Sequence, residues 1–195
     1  DMAINKASIG NNLLEAISNG TGEGHKLAVN VGAMLLVFTA LMAMLNYGLK
    51  DLIGNWTGLN EIIQNQSGGR YDGLSAQYLL AYVFAPISFL IGVPDTDILA
   101  VGQLLGEKTI LNEFYAYGTL ADLKNSGILT DQKSIIMATY ALCGFANFAS
   151  IGIQIGGIGV LAPEKRTLLS KLGIKALVGG TLACLLTAAI IGMFF

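Results

Sequence analysis

Between Lys133 and Glu164 run thirty consecutive residues without a charge. The first half, Ser134 to Leu142, reads as lipid-phase helix. The second half carries Gly144, Asn147, Ser150, Gly152, Gln154, Gly156, Gly157 and Gly159. A segment this apolar crosses a bilayer or fills a very large core. A segment this rich in glycine and amides makes a poor uninterrupted helix. The combination predicts a broken transmembrane helix, with unwound backbone and polar side chains on a cavity. That is how secondary transporters build their binding sites.

Composition agrees with a membrane chain. Of the 195 residues, 53% are hydrophobic and 12% are charged, about half the charged share of a soluble domain. A formal net charge of -2 offers no basic face to nucleic acid. Cys143 and Cys184 both lie in apolar runs and read as small core residues, neither a disulfide nor a metal pair. With His25 the single histidine, no His-based metal cluster is expected. No basic leader with a short apolar run opens the chain, so no signal peptide is expected. No Walker-type phosphate loop, G-x-S-x-G or H-E-x-x-H motif occurs, and no nucleophile–base pair suggests an enzyme.

The pattern predicts an all-α integral membrane protein. Residues 1–24 read as an interfacial helix, near Asn12 to Ile17, and a Gly-rich turn from Gly20 to Gly24. Residues 25–50 hold a transmembrane helix, Leu27 to Leu49. Residues 51–75 form an interfacial loop with a short helix near Leu59 to Ile63 and Trp56 at headgroup depth. Residues 76–93 can just span, kinked at Pro86. Residues 94–131 contain two helical stretches, Asp97 to Leu111 and Glu113 to Leu123, each too short to span. They read either as a re-entrant hairpin buried in protein or as a folded extramembrane loop. Residues 132–163 are the broken helix. Residues 164–195 are a basic loop and a last span, Ala176 to Phe195. The loop from Pro163 to Lys175, with Lys165, Arg166, Lys171 and Lys175, is placed in the cytoplasm by the positive-inside rule. The hairpin ends near Pro94 and Thr130 then face outside.

Two polar groups draw attention. Glu113 at membrane depth requires a partner or a function; in a surface loop it requires neither. Lys108, five residues earlier, is a weak candidate partner, being off the helical i, i+4 spacing. Asn147, Ser150 and Gln154 step by three and four, which stacks them on one helical face. Uncharged donors and acceptors suit a hydroxylated ligand. They equally suit hydrogen bonding between membrane helices, and the glycines at 156–157 fit close packing as well as an ion site. A channel or a structural helical bundle, with its polar residues serving packing only, is the competing reading.

Three blocks resolve the choice by resemblance. Residues 138–163, A-T-Y-A-L-C-G-F-A-N-F-A-S-I-G-I-Q-I-G-G-I-G-V-L-A-P, resemble the signature of the concentrative nucleoside transporters. Gly106 to Tyr117, G-E-K-T-I-L-N-E-F-Y-A-Y, is similar to a second block of that family, and L-A-V-N-V-G-A-M-L-L-V-F from Leu27 to a third. The resemblance implies the C-terminal part of a homotrimeric symporter, with the second of two inverted repeats: hairpin Asp97 to Leu123 and broken helix Ser134 to Leu161. It implies an elevator-type motion, a nucleoside substrate, and Na+ or H+ as coupling ion at a site outside this chain. It also implies a multi-pass location in the plasma membrane, the inner membrane of a bacterium. By the matching motifs, Glu113, Asn147 and Ser150 are expected to bind ribose, with Phe145 lining the pocket. Ala149 stands where many relatives have Ser.

Overall fold

The computed structural model describes residues 12–161 and 163–195, and every regular element among them is helical. Helix α1, Leu13–Asn46, begins at Asn12, whose side chain accepts from the Glu15 amide at 2.9 Å. It passes without interruption through Gly20, Gly22 and Gly24. The expected interfacial helix and Gly-rich turn are therefore the first turns of one long helix, and their boundary with the span is corrected. A glycine costs a helix only about 0.5–1 kcal/mol relative to alanine, too little to break one that neighbouring residues favour. The helix continues as a π-helical stretch, Tyr47–Gly54, and a last turn, α2, Asn55–Thr57. It stops at Gly58, where φ is 71°, a backbone that only glycine adopts readily.

Asn60, in helix α3 (Leu59–Gln66), holds the corner. Its amide donates to the Lys50 carbonyl at 2.9 Å, and its Oδ1 accepts from the Leu74 amide at 2.9 Å. The expected short helix near Leu59 to Ile63 is thus α3, and Trp56 is 87% exposed beside it. Helix α4, Ala76–Leu90, is capped by Ser75 and contains Pro86. Asn46 links it to α1: Oδ1 accepts from the Ala76 amide at 2.8 Å, and Nδ2 donates to Gln77 Oε1 at 2.9 Å.

Helices α5, Ile98–Ile110, and α6, Glu113–Asn125, are joined by Leu111 and Asn112 alone and pack on each other. Every residue from Ala100 to Lys108 is buried, so α5 is a core helix, whereas α6 buries only Glu113, Ala116, Leu120 and Leu123. Gly102 and Gly106 let α5 approach α4 very closely. A Cβ at Gly102 would lie 2.6 Å from the Ala81 carbonyl oxygen, and one at Gly106 2.6 Å from Leu80 Cβ. Leu104, Leu105, Ala116, Leu120 and Leu129 pack with Met137, Ala138 and Leu142, and with Leu185 and Ala188, farther along the chain.

Helix α7, Gln132–Leu142, starts at Asp131, which accepts from the Ser134 amide at 3.0 Å. The chain is non-helical from Cys143 to Asn147, then α8 runs Phe148–Leu161. The helix is broken as expected, but the unwinding is confined to that link. The Gly-rich half is itself helical, since isolated glycines do not outweigh the favourable residues between them. The side-chain surroundings of residues 156–161, including the glycine pair, lie outside the described residues.

Helix α9, Arg166–Gly192, follows the short 3-10 turn Pro163–Lys165. The expected basic loop to Lys175 is therefore mostly helix, with Lys171 and Lys175 on its first turns. Arg, Lys and Leu are good helix formers, and long cationic side chains reach back to the interface. Among the described residues, α9 is the one helix long and apolar enough to cross a membrane. Only 17% of its most apolar window is buried, which a soluble core helix would not leave uncovered. Cys184 on α9 is buried, whereas Cys143 is exposed in the break, correcting its expected core position.

Candidate functional site

Two helix N-termini meet where α6 faces the break between α7 and α8. Glu113 is the first residue of α6, after the N-cap Asn112, whose Oδ1 accepts from the Tyr115 amide at 2.9 Å. Its carboxylate thus sits at the positive end of a helix and is buried. Asn147 immediately precedes α8 and is 1% exposed. It forms a reciprocal cap with Ser150: Asn147 Oδ1 accepts from the Ser150 amide at 2.7 Å, and Ser150 Oγ accepts from the Asn147 amide at 3.3 Å. The Ser150 hydroxyl donates to the Asn147 carbonyl at 2.6 Å. Two of the backbone N–H groups at the helix start are satisfied this way.

The cap fixes which end of the Asn147 amide faces outward. Nδ2 donates to Glu113 Oε2 at 2.8 Å, joining the hairpin tip to the broken helix by a charge-assisted bond. One Nδ2 hydrogen and most of the carboxylate's lone pairs remain for a ligand. A carboxylate acceptor beside an amide donor matches a pair of adjacent hydroxyls, each of which donates one bond and accepts another.

Phe145 lies in the break and is 47% exposed. It lines a cavity of about 470 Å3 between the break, α8 and α9, together with Gly144, Ser150 and Gln154. That volume is in the range of small-molecule sites. Glu113 and Asn147 do not line it, so Ser150 connects the cavity to the carboxylate pair. Glu113, Asn147 and Ser150 are therefore brought together by direct bonds, with Phe145 at the edge and Gln154 one turn farther along α8.

Lys108 is not a partner of Glu113. It is buried, and its Nζ donates to the Ala141 carbonyl at 2.8 Å. There it satisfies the last turn of α7, the negative end of that half-helix. Sequence spacing gives no sign of this contact, because it depends on α5 packing across α7. A Cβ on Gly144 would collide with Cys184 Sγ, so the break is seated directly on α9. Among the described residues no three His, Cys, Asp or Glu side chains converge as a metal site.

Comparison with known proteins places this geometry. Residues 2–192 match the family model described as Na+ dependent nucleoside transporter C-terminus. The chain is 43% identical over 183 residues to the uncharacterized transporter YutK of Bacillus subtilis, covering 94% of this chain and 41% of that protein. It is 39% identical to sodium/nucleoside cotransporter 1 of Rattus norvegicus, covering 94% of this chain and 28% of the rat protein. The solved structure of CNTnw in an inward-facing substrate-bound state superposes with a TM-score of 0.76 at 34% identity. The match covers 99% of this chain and 42% of CNTnw. The chain thus spans less than half the length of these relatives.

Proposed function

We propose, from a chain that belongs to the Na+-dependent nucleoside transporter family, that it supplies the ribose-binding half of a cation-coupled nucleoside symporter. The family consists of transporters, not enzymes. Glu113 accepts from the two ribose hydroxyls, the free Asn147 Nδ2 hydrogen donates back to one of them, and Ser150 holds Asn147 in that orientation. Phe145 forms the apolar wall beside the sugar. The nucleobase contacts and the coupling-cation site, Na+ or H+, lie in the part of the protein upstream of this chain.

In the same reading α5–α6 is a re-entrant hairpin, entering and leaving the membrane on the outside. The protein is a homotrimer of the plasma membrane. Transport moves hairpin and broken helix together against a scaffold, so that one site faces each side in turn. The observation that carries the proposal is the Asn147–Glu113 bond, which ties the two broken elements together through a group able to read a diol.

Competition binding of uridine, 2′-deoxyuridine and 2′,3′-dideoxyuridine to the full-length protein tests it. Loss of both hydroxyls is expected to weaken binding roughly ten- to a hundred-fold, the worth of a hydrogen bond to a charged group. Glu113→Gln is expected to flatten that preference, because an amide is a weaker acceptor. Equal discrimination in both proteins would move the ribose contact elsewhere. Uridine binding untouched by the substitution would favour the packing-only role of these polar residues.

A further inference from the structure

A second carboxyl group in the hairpin has no part in that reading. Glu107 lies on α5 and is fully buried, as are Val101 and Leu104 of the same helix. Gln103 Nε2 donates to its Oε1 at 2.9 Å. Its Oε2 is buried without a hydrogen bond, and so is the hydroxyl oxygen of Tyr71. Buried side-chain oxygens almost always have partners, so two orphans in one region need an account.

The groups that face Glu107 are all uncharged. Thr119 of α6 lies beside the carboxyl and, like Gln103, favours its charged form, while burial opposes both and is the larger effect. Tyr71, from the turn before α4, and Tyr115 of α6 are the titratable groups that feel its charge. Asp122 of α6 adds only like charge on the Tyr115 side. The next residue, Lys108, is turned away to Ala141. Helix α4 carries no acidic or basic side chain, and Lys133, in the first turn of α7, is the one cation on that helix. Arg70, next to Tyr71, is a cation that acts on the Tyr71 hydroxyl, but no cation is among the groups acting on Glu107 itself. A carboxylate without counter-charge in such surroundings is strongly disfavoured against the neutral acid.

We propose that Glu107 is a proton-binding site inside the hairpin, distinct from the ribose pocket. The neutral acid keeps Oε1 as acceptor for Gln103 and gives Oε2 a hydrogen to donate toward the hydroxyl side of its niche, Thr119 and Tyr71. The bound species is a proton and not a metal cation. Gln103 points an N–H at the carboxyl, and among the described residues no three His, Cys, Asp or Glu side chains converge as a metal site. Losing the proton leaves a bare negative charge between the two arms, so the hairpin loosens as pH rises.

Infrared spectroscopy of the full-length protein in lipid nanodiscs tests this without any nucleoside. A protonated carboxyl has a carbonyl stretch that a carboxylate lacks and that shifts in D2O. At neutral pH the wild type is expected to show such a band and Glu107→Gln to lack it. The wild-type band is expected to vanish on alkalinisation, with a parallel fall in Tm that the variant does not share. The wild-type titration needs no variant, so misfolding of the glutamine protein leaves the proposal exposed to test. A band missing from the wild type, unchanged in Glu107→Gln, or insensitive to pH up to the limit of folding overturns it. None of these outcomes depends on the ribose reading, which stands or falls by uridine competition.

Discussion

Asn147 uses both ends of its amide for different purposes, and that sets what it can offer a ligand. Its Oδ1 belongs to the α8 cap and its Nδ2 faces Glu113, so it presents donors only. From sequence the residue reads as able to donate and accept on the ligand side. The structure removes the acceptor, because a residue preceding a helix turns its oxygen to the free amides. Asn147→Asp keeps the capping oxygen but sets a second carboxylate against Glu113. Uridine affinity of the full-length protein is expected to drop at least ten-fold at neutral pH, since a bond to a charged group worth about 1.5–3 kcal/mol becomes a repulsion. Unchanged affinity by calorimetry would exclude Asn147 from the site. The N-x-x-S spacing that makes the cap is visible in the sequence. The turn of Lys108 to Ala141 is not, because no local pattern encodes which helix end lies across from it.

The helices separate into those set by local sequence and those set by close approach. The helical bounds of the hairpin arms and the start of α4 follow from charge, cap and length and agree with the sequence reading, whereas the break is narrower, because the Gly-rich half from Phe148 is helical. The continuous α1 departs from that reading, because a run of glycines marks a turn only when the surrounding residues do not hold the helix. No atom lies within 4 Å of a Cβ built at Gly20 or Gly22. Gly20→Ala and Gly22→Ala are therefore expected to stabilise the helix by about 0.5–1 kcal/mol each, read as a rise in Tm of the full-length protein. Gly102 behaves oppositely. Its substitution by alanine drives a methyl against the Ala81 backbone, which cannot move as a flexible side chain would. A loss of about 1–3 kcal/mol is expected, seen as a lower Tm. A neutral result at Gly102 would mean α4 and α5 are farther apart than described.

At the scale of the molecule this chain is less than half of its relatives' length. We expect the isolated 195-residue chain to insert without transporting, because in the proposed function the base contacts and the coupling site belong to the remainder. Radiolabelled uridine flux through the isolated chain in liposomes would overturn that. Orientation is testable at the α8–α9 connection. A cysteine at exposed Glu164, in a protein lacking Cys143 and Cys184, is expected to react with an impermeant reagent from the cytoplasmic side only. The basic residues flanking that connection carry the expectation, and reaction from outside would invert the proposed topology.

Lys108 and Glu113 are both buried and both sit on the hairpin. When the hairpin crosses the membrane as a body, as proposed, their opposite charges cross together and cancel, with Glu107 neutral. The pair then adds no work against the membrane voltage when the empty carrier returns. Removing one member of the pair breaks the balance. Relative to the wild type, Lys108→Met makes the hairpin one charge more negative and Glu113→Gln one charge more positive, each worth up to about 2.3 kcal/mol per 100 mV for a full crossing. The charge moved in transient currents after voltage steps, without nucleoside, is expected to shift from the wild-type value in opposite directions in the two variants. A hairpin that stays in place gives no such shift in either of them.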